Sequence, residues 1–208
     1  MLFKIGVLIY GYFAGALIQA GYWMGKFNKI DIRDYGSGNA GTTNVMRTLG
    51  KKAGIATYLL DAFKAVIADI LIHFLIVPHT AIPEMLLFLY CGLGIVLGHN
   101  FPFYMKFKGG KGIASSVGIV FAFDWRMVPI CAILFFTSVV PTGFMSLGSL
   151  GILSGFFVQT IVFGQLGLLK IATQFLPETY VLAGILTALA FWQHRANIKR
   201  LATGTENK

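Results

Sequence analysis

Seven apolar runs, at residues 4–25, 54–77, 84–104, 112–124, 127–145, 147–169 and 179–194, govern what this chain can fold into. Most have the roughly 17 to 25 residues that a helix needs to cross the hydrocarbon core of a bilayer. Of the 208 residues, 56% are hydrophobic and 12% are charged, whereas roughly a quarter of a soluble domain is charged. The expectation is an all-α integral membrane protein of seven transmembrane helices, forming a single polytopic domain over 1–208. The fourth run is short for a span, so that segment is tilted, partly re-entrant or continuous with its neighbour.

The first run follows Lys4 and could be mistaken for a secretory signal. It exceeds the roughly 7 to 15 residues of a signal's apolar centre and lacks a convincing cleavage site, so it reads as a first membrane helix. Gly6, Gly11, Gly15, Gly21 and Gly25 recur along it. Such residues suit close packing in lipid, where small side chains let backbones approach.

Lysine and arginine set the orientation. Lys26, Lys29, Arg33, Arg47, Lys51 and Lys52 fall in 26–52, Lys106, Lys108 and Lys111 in 105–112, and Arg195, Lys199, Arg200 and Lys208 in the tail. The intervening turns hold only His79 and Glu84, Asp124 and Arg126, and Lys170 and Glu178. Positive segments stay in the cytoplasm, so seven alternating spans put the N-terminus outside and the C-terminus in the cytoplasm. The formal charge of +9 lies in short segments between apolar runs. That pattern suits topology, anionic headgroups and phosphate-bearing substrates, and not nucleic acid, which asks for a basic soluble face with stacking aromatics. No obligatory protein partner is evident in the sequence.

Ionisable residues also lie inside the runs. Asp61 and Lys64 are three apart and Asp69 and His73 four apart, so each pair shares a helix face. Charges at membrane depth are functional by default, with a helix-packing ion pair as the structural alternative. His79 reads as a solvated loop residue, and Asp31 and Asp34 as a solvated loop face. Cys91 and Cys131 sit in apolar runs and read as packing thiols, implying neither a disulfide nor a metal site.

The basic segments carry the chemistry. The first runs from Tyr35 through Gly36, Ser37, Gly38, Asn39, Ala40, Gly41, Thr42, Thr43 and Asn44 to Arg47. Glycines free the backbone for an anion-binding nest, hydroxyls and amides add neutral donors, and arginine adds a cationic fork. The second holds Gly98-His99-Asn100-Phe101-Pro102, then Lys108, Gly109, Gly110, Lys111 and Gly112 before a helix. A lysine on a glycine-rich turn at a helix start also suits phosphate. It is not a Walker A loop, because Ile113 and Ala114 follow the last glycine. The third places His194 and Asn197 on one helical face where the last run ends, followed by Gly204-Thr205-Glu206. Each segment alone also reads as flexible loop and positive-inside anchor; three on one side exceed what topology requires.

Eight acidic residues, none paired to hold magnesium except in principle Asp31 and Asp34, argue against two-metal phosphoryl transfer. Zinc-protease and nucleophile-elbow patterns are absent. So is the histidine-to-aspartate spacing of another acyltransferase class, since Tyr104 and Lys199 stand five after His99 and His194. A reaction without metal, cofactor or dedicated catalytic dyad fits better. A membrane transporter of a small phosphorylated solute is the alternative, and would show a midplane polar path and broken helices in paired repeats.

At Gly36 to Arg47, Gly98 to Gly112 and His194 to Glu206 the sequence closely resembles the acyl-phosphate:glycerol-3-phosphate acyltransferases of bacterial phospholipid synthesis, the PlsY-type family. It departs from that family at Ala40 to Thr43, at Ala65 and over 119–145. The resemblance implies acyl transfer from acyl phosphate to the 1-hydroxyl of glycerol 3-phosphate, giving lysophosphatidic acid and inorganic phosphate, with no cofactor. It also implies a multi-pass protein of the bacterial inner membrane with a cytoplasmic active site. By the same resemblance Ser37, Arg47, Lys111, His194 and Asn197 surround the phosphates and the reacting centre. Gly38, Asn39, Gly41, Thr43 and Asn44 form one cradle, Lys108, Gly109, Gly110 and Gly112 a second, and Ser146 is a further ligand.

Overall fold

All seven apolar runs are helical in the computed structural model, which describes residues 1–207. In chain order the helices are α1 (Leu2–Leu17), α2 (Ala20–Phe27), α3 (Thr42–Leu49), α4 (Lys51–Leu75), α5 (Glu84–Asn100), α6 (Ile113–Phe123), α7 (Val128–Thr142), α8 (Met145–Gln165), α9 (Leu176–Gln193) and α10 (Arg195–Ala202). Among the described residues there is no β-strand.

Five stretches are long and apolar enough to cross a membrane: Leu2–Phe27, Glu84–Met105, Trp125–Thr142, Met145–Gln165 and Thr173–Gln193. The other two expected spans differ for identifiable reasons. Helix α4 has 25 residues but carries Asp61, Lys64 and Asp69, whereas α6 has only 11 residues. At 1.5 Å per residue α6 covers about half of a 30 Å hydrocarbon core.

The chain forms two compact units, Met1–Ala122 and the residues from Phe123 onward. In the first, α5 is buried along most of its length and packs closely on α1. Their glycines interlock. A Cβ on Gly11 would meet the Cys91 backbone and one on Gly15 the Ile95 backbone, while Gly94 and Gly98 press on the backbones of Leu8, Tyr12 and Ala16. Side chains there would force the two helices apart, because backbone atoms cannot rotate out of the way as side chains can. Gly118 of α6 likewise meets the Ala62 backbone of α4.

The first run is not one continuous helix, contrary to its reading as a single membrane helix. It breaks at Ile18 (φ −92°, ψ 73°) and Gln19 (φ −99°, ψ 78°). The break persists because side chains take over the hydrogen bonds that the helix gives up. Lys64 Nζ donates to Ile18 O at 2.7 Å, and Gln19 Nε2 donates to the carbonyls of Gly15, Gly98 and His99 at 3.3, 3.4 and 2.8 Å. Irregular backbone at membrane depth is tolerated where protein satisfies it in this way.

In the second unit α8 packs between α7 and α9. Gly148 and Gly155 receive Phe135, Val139 and Leu134 of α7, and Thr187 Oγ1 of α9 donates to Leu153 O at 3.1 Å. Helix α7 ends at Gly143 in the left-handed region (φ 77°), its N–H returning to Val139 O. Both cysteines are buried and free, and His79 is exposed. His73 turns to Glu84 (Nδ1 to Oε1, 2.8 Å).

Candidate active site

The first segment is folded around one amide. Asn44, at 1% exposure, donates from Nδ2 to the carbonyls of Ile32, Tyr35 and Asn39, each at 2.9 Å, and accepts from Ser37 N–H at 2.8 Å. Both ends of the amide are therefore engaged by the loop, and Asn44 shapes the cradle from beneath. The turn needs Gly36 and Gly38, whose φ values of +57° and +71° lie in the left-handed region. A Cβ on Gly36 would also collide with the Asn44 amide. Asn39 Nδ2 donates to Ser37 O at 3.0 Å. Gly41 precedes α3 and accepts from Val45 N–H. This arrangement leaves Ser37, Gly38 and Arg47 exposed and Thr43 half-buried.

Asp31, expected to be a solvated loop residue, instead forms a two-pronged pair with Arg33: Oδ1 accepts from Nε at 2.9 Å and Oδ2 from Nη2 at 2.7 Å. The hydrogen bonds from Arg33 hold the Asp31 carboxyl down to about 2. Arg33 Nη1 also donates to Met105 O at 3.0 Å, reaching from the first segment into the second. Below that link Ile32, Ala40, Val45 and Met105 form one buried apolar cluster. The first two segments thus share a core.

In the second segment Lys106 and Phe107 both take left-handed φ values, 55° and 57°, which are uncommon for residues with a Cβ. Phe107 N–H returns to Pro102 O at 3.1 Å. The expected cradle from Gly109 to Gly112 is altered in detail. Gly109 N–H donates to Asn100 O and Gly110 N–H to His99 O, at 3.1 and 3.2 Å, so those two donors are already used. Their lack of side chains matters for another reason: a Cβ on Gly109 would strike His99 O and one on Gly110 the His99 ring. Gly112, at φ +80°, turns the chain into α6, whose first helical bond runs from Ser116 N to Gly112 O at 2.8 Å. A phosphate at this loop would meet the start of α6 and the side chains of Lys108, which is exposed, and Lys111, which is half-buried.

In the second unit α9 ends at His194, which is 2% exposed. Its Nδ1 lies 2.8 Å from Ala190 O, which assigns Nδ1 as the N–H and leaves Nε2 as the acceptor of the neutral ring. Asn197, Ser146 and Arg200 converge on Glu206: Asn197 Nδ2 donates at 2.6 Å, Ser146 Oγ at 2.9 Å and Arg200 Nε at 2.8 Å. For Asn197 this is a pairing that holds the helix exit. For Ser146 it makes a tether between the α7–α8 turn and the tail. Burial alone would raise the Glu206 carboxyl, but the bonds from Asn197, Ser146 and Arg200 outweigh it and hold it below the usual range.

Both shifted carboxylates give stability that is complete above their unfolded values of about 4 and is lost as pH falls through the folded ones. We expect the unfolding temperature, followed by tryptophan fluorescence, to fall steadily below about pH 4. Glu206→Gln should flatten the upper part of that fall. A Tm independent of pH between 5 and 3 would refute both ties.

Sequence reasoning passed over Arg33 and the backbone role of His99 as parts of the site. Only tertiary contacts reveal them, since each acts on residues distant in the chain.

The model of a family described as glycerol-3-phosphate acyltransferase matches residues 5–204. A glycerol-3-phosphate acyltransferase of Thermoanaerobacter pseudethanolicus is 39% identical over 208 residues, covering 100% of this chain and 96% of its own. One from Streptococcus pneumoniae is 38% identical over 204 residues, covering 98% and 92%. Among solved structures, PlsY, an integral membrane glycerol 3-phosphate acyltransferase, superimposes in its glycerol 3-phosphate form with a TM-score of 0.83 at 30% identity, covering 99% of this chain and 94% of that one. Its lysophosphatidic acid form gives a TM-score of 0.81 at 29% identity. Alike over nearly its whole length in sequence and in its all-helical membrane fold, the chain belongs to the glycerol-3-phosphate acyltransferase family.

Proposed function

We propose that this glycerol-3-phosphate acyltransferase takes its acyl group from acyl phosphate. The hydroxyl oxygen of glycerol 3-phosphate forms the new ester bond, the bond from acyl carbon to phosphate oxygen breaks, and the departing phosphate carries away the hydroxyl proton. The products are lysophosphatidic acid and inorganic phosphate. The observation that carries this reading is the pair of phosphate-type loops built on one core in the first unit, matching a reaction whose two substrates each bear a phosphate.

We assign Arg47 and Lys111 to the phosphates, so that orientation supplies much of the rate. Ser37, with the backbone of Gly38 to Thr43, and the start of α6 add neutral donors toward the developing oxyanion. His194, whose Nδ1 lies against the Ala190 carbonyl, is assigned to orient the attacking hydroxyl. Asn197 supports it from the Glu206 junction. An already activated donor needs no stronger base.

The whole chain acts as one polytopic acyltransferase of seven spans in the bacterial inner membrane, with the N-terminus outside and the three motifs cytoplasmic. Two features support the topology. Asp61 and Lys64 neutralise each other at 2.8 Å, so α4 can lie in the bilayer. In addition, the tether from Ser146 to Glu206 puts the α7–α8 turn and the tail at the same end of the second unit. The lysines and arginines of 105–112 and of the tail mark both as cytoplasmic, and four crossings between them, α6 to α9, agree with that reading.

Purified protein given palmitoyl phosphate and glycerol 3-phosphate, without metal or coenzyme A, should release phosphate only when both are present. Turnover with palmitoyl-CoA and none with palmitoyl phosphate would overturn the assigned donor.

A further inference from the structure

Four buried polar residues, His99 of the second motif and three that lie outside the motifs, meet where the first run breaks. Lys64 Nζ, with a side-chain exposure of 0%, has three hydrogens and three partners. They are Ile18 O at 2.7 Å, Asp61 Oδ1 at 2.8 Å and His99 Nδ1 at 2.8 Å. Three acceptors around an ammonium make Nδ1 an acceptor, so His99 is assigned as the Nε2–H tautomer. Gln19 completes the group by donating to His99 O.

This cluster joins three helices: the α1–α2 break, α4 and α5. It is an expensive way to hold helices together, since a buried ion pair is often no more stabilising than apolar residues of the same volume. What it supplies is direction. Helix packing sets the overall rotation of a membrane helix, and a saturated ammonium then fixes its individual partners within hydrogen-bond tolerance.

The residue so fixed is the one that carries the second phosphate-type loop. His99 O accepts from Gly110 N–H, and a Cβ on Gly110 would run into His99 Nε2. The ring therefore stands between Lys64 at one end and the Gly110 backbone at the other. Tyr12 and Tyr104 brace the same corner, donating to Phe101 O at 2.9 Å and Ala16 O at 3.0 Å.

We infer that Lys64, acting through His99, is a positioning residue that sets the placement of the Gly109–Gly112 loop for the phosphate-bearing substrate bound there. The inference rests on the reading of that loop as a phosphate site. Lys64 itself touches no substrate.

The test is a full steady-state comparison of the wild type with the double variant Asp61→Asn/Lys64→Met, which removes the directing ammonium without stranding a buried carboxylate. A second variant, His99→Asn, keeps an acceptor near the Nδ1 position but deletes the ring edge at Gly110. In both, KM for one phosphate-bearing substrate should rise about tenfold, with KM for the other unchanged and kcat within about threefold of wild type. Unmoved Michaelis constants, or a fall in kcat that merely follows a lowered Tm, would overturn the inference. If the double variant does not fold, His99→Asn decides alone. Should acyl-CoA prove to be the donor, the assigned donor fails, yet the split between substrates is still read on the pair that works.

Discussion

Gly98→Val is expected to leave little folded protein in mild detergent, with a loss of at least about 3 kcal/mol. The α1–α5 contact is backbone against backbone: Gly11 and Gly15 face Cys91 and Ile95, while Gly94 and Gly98 face Leu8, Tyr12 and Ala16. A side chain at Gly98 would have to displace the Tyr12 carbonyl region of α1. That displacement would also disturb the Gln19 and Lys64 bonds one turn away, which hold the helix break. Gly6 is the internal control, since nothing lies within 4 Å of a Cβ built there, and Gly6→Ala should change stability by no more than about 1 kcal/mol. Thermal unfolding in one detergent, with both variants prepared alike, checks the pair. Equal stability of the two variants would show that α1 and α5 can separate without penalty.

The largest effect on turnover is expected from Arg47→Ala. Arg47 lies in the last turn of α3 with its side chain exposed, so its removal leaves no cavity and should move Tm by no more than a few degrees. The rate should fall far more. Loss of a fixed cationic donor from the reacting phosphates is expected to lower kcat/KM about a thousandfold, equivalent to about 4 kcal/mol of transition-state stabilisation. Arg47→Lys should recover only part of this, because an ammonium restores the charge but not the planar fork. Phosphate release measured under saturating and limiting glycerol 3-phosphate separates the two constants. A loss below tenfold would remove Arg47 from the reacting centre.

These predictions draw on different kinds of information. Membrane residence, the all-helical class and the positions of the helices follow from the lengths of the apolar runs, because hydrocarbon leaves few ways to satisfy a backbone. The three basic segments were also legible, since glycine, small hydroxyl and arginine residues are clustered in the chain itself. Their resemblance to a family then identified the acyl acceptor, in agreement with the relatives and solved structures.

What the linear pattern concealed was the division of labour inside each segment. Asn44 looked like one donor among several, yet its partners Ile32, Tyr35, Ser37 and Asn39 make it the post on which the loop is hung. Gly109 and Gly110 looked like open N–H donors, but His99 and Asn100 take those hydrogens. Ser146 and Glu206, 60 residues apart, meet only in the folded chain. Hydropathy averaged over the run likewise does not see the break at Ile18, because one polar residue, Gln19, hardly lowers it; Lys64 and Gln19 provide the replacement bonds.

The sequence by itself therefore determined the solvent this protein lives in and its all-helical class. Those properties depend on residues near one another in the chain and on bulk transfer energies. The tertiary structure alone decided which polar groups hold the scaffold. A hydrogen-bond donor can serve that purpose or face a substrate, and only the acceptor that lies within about 3 Å of it in the folded chain settles which.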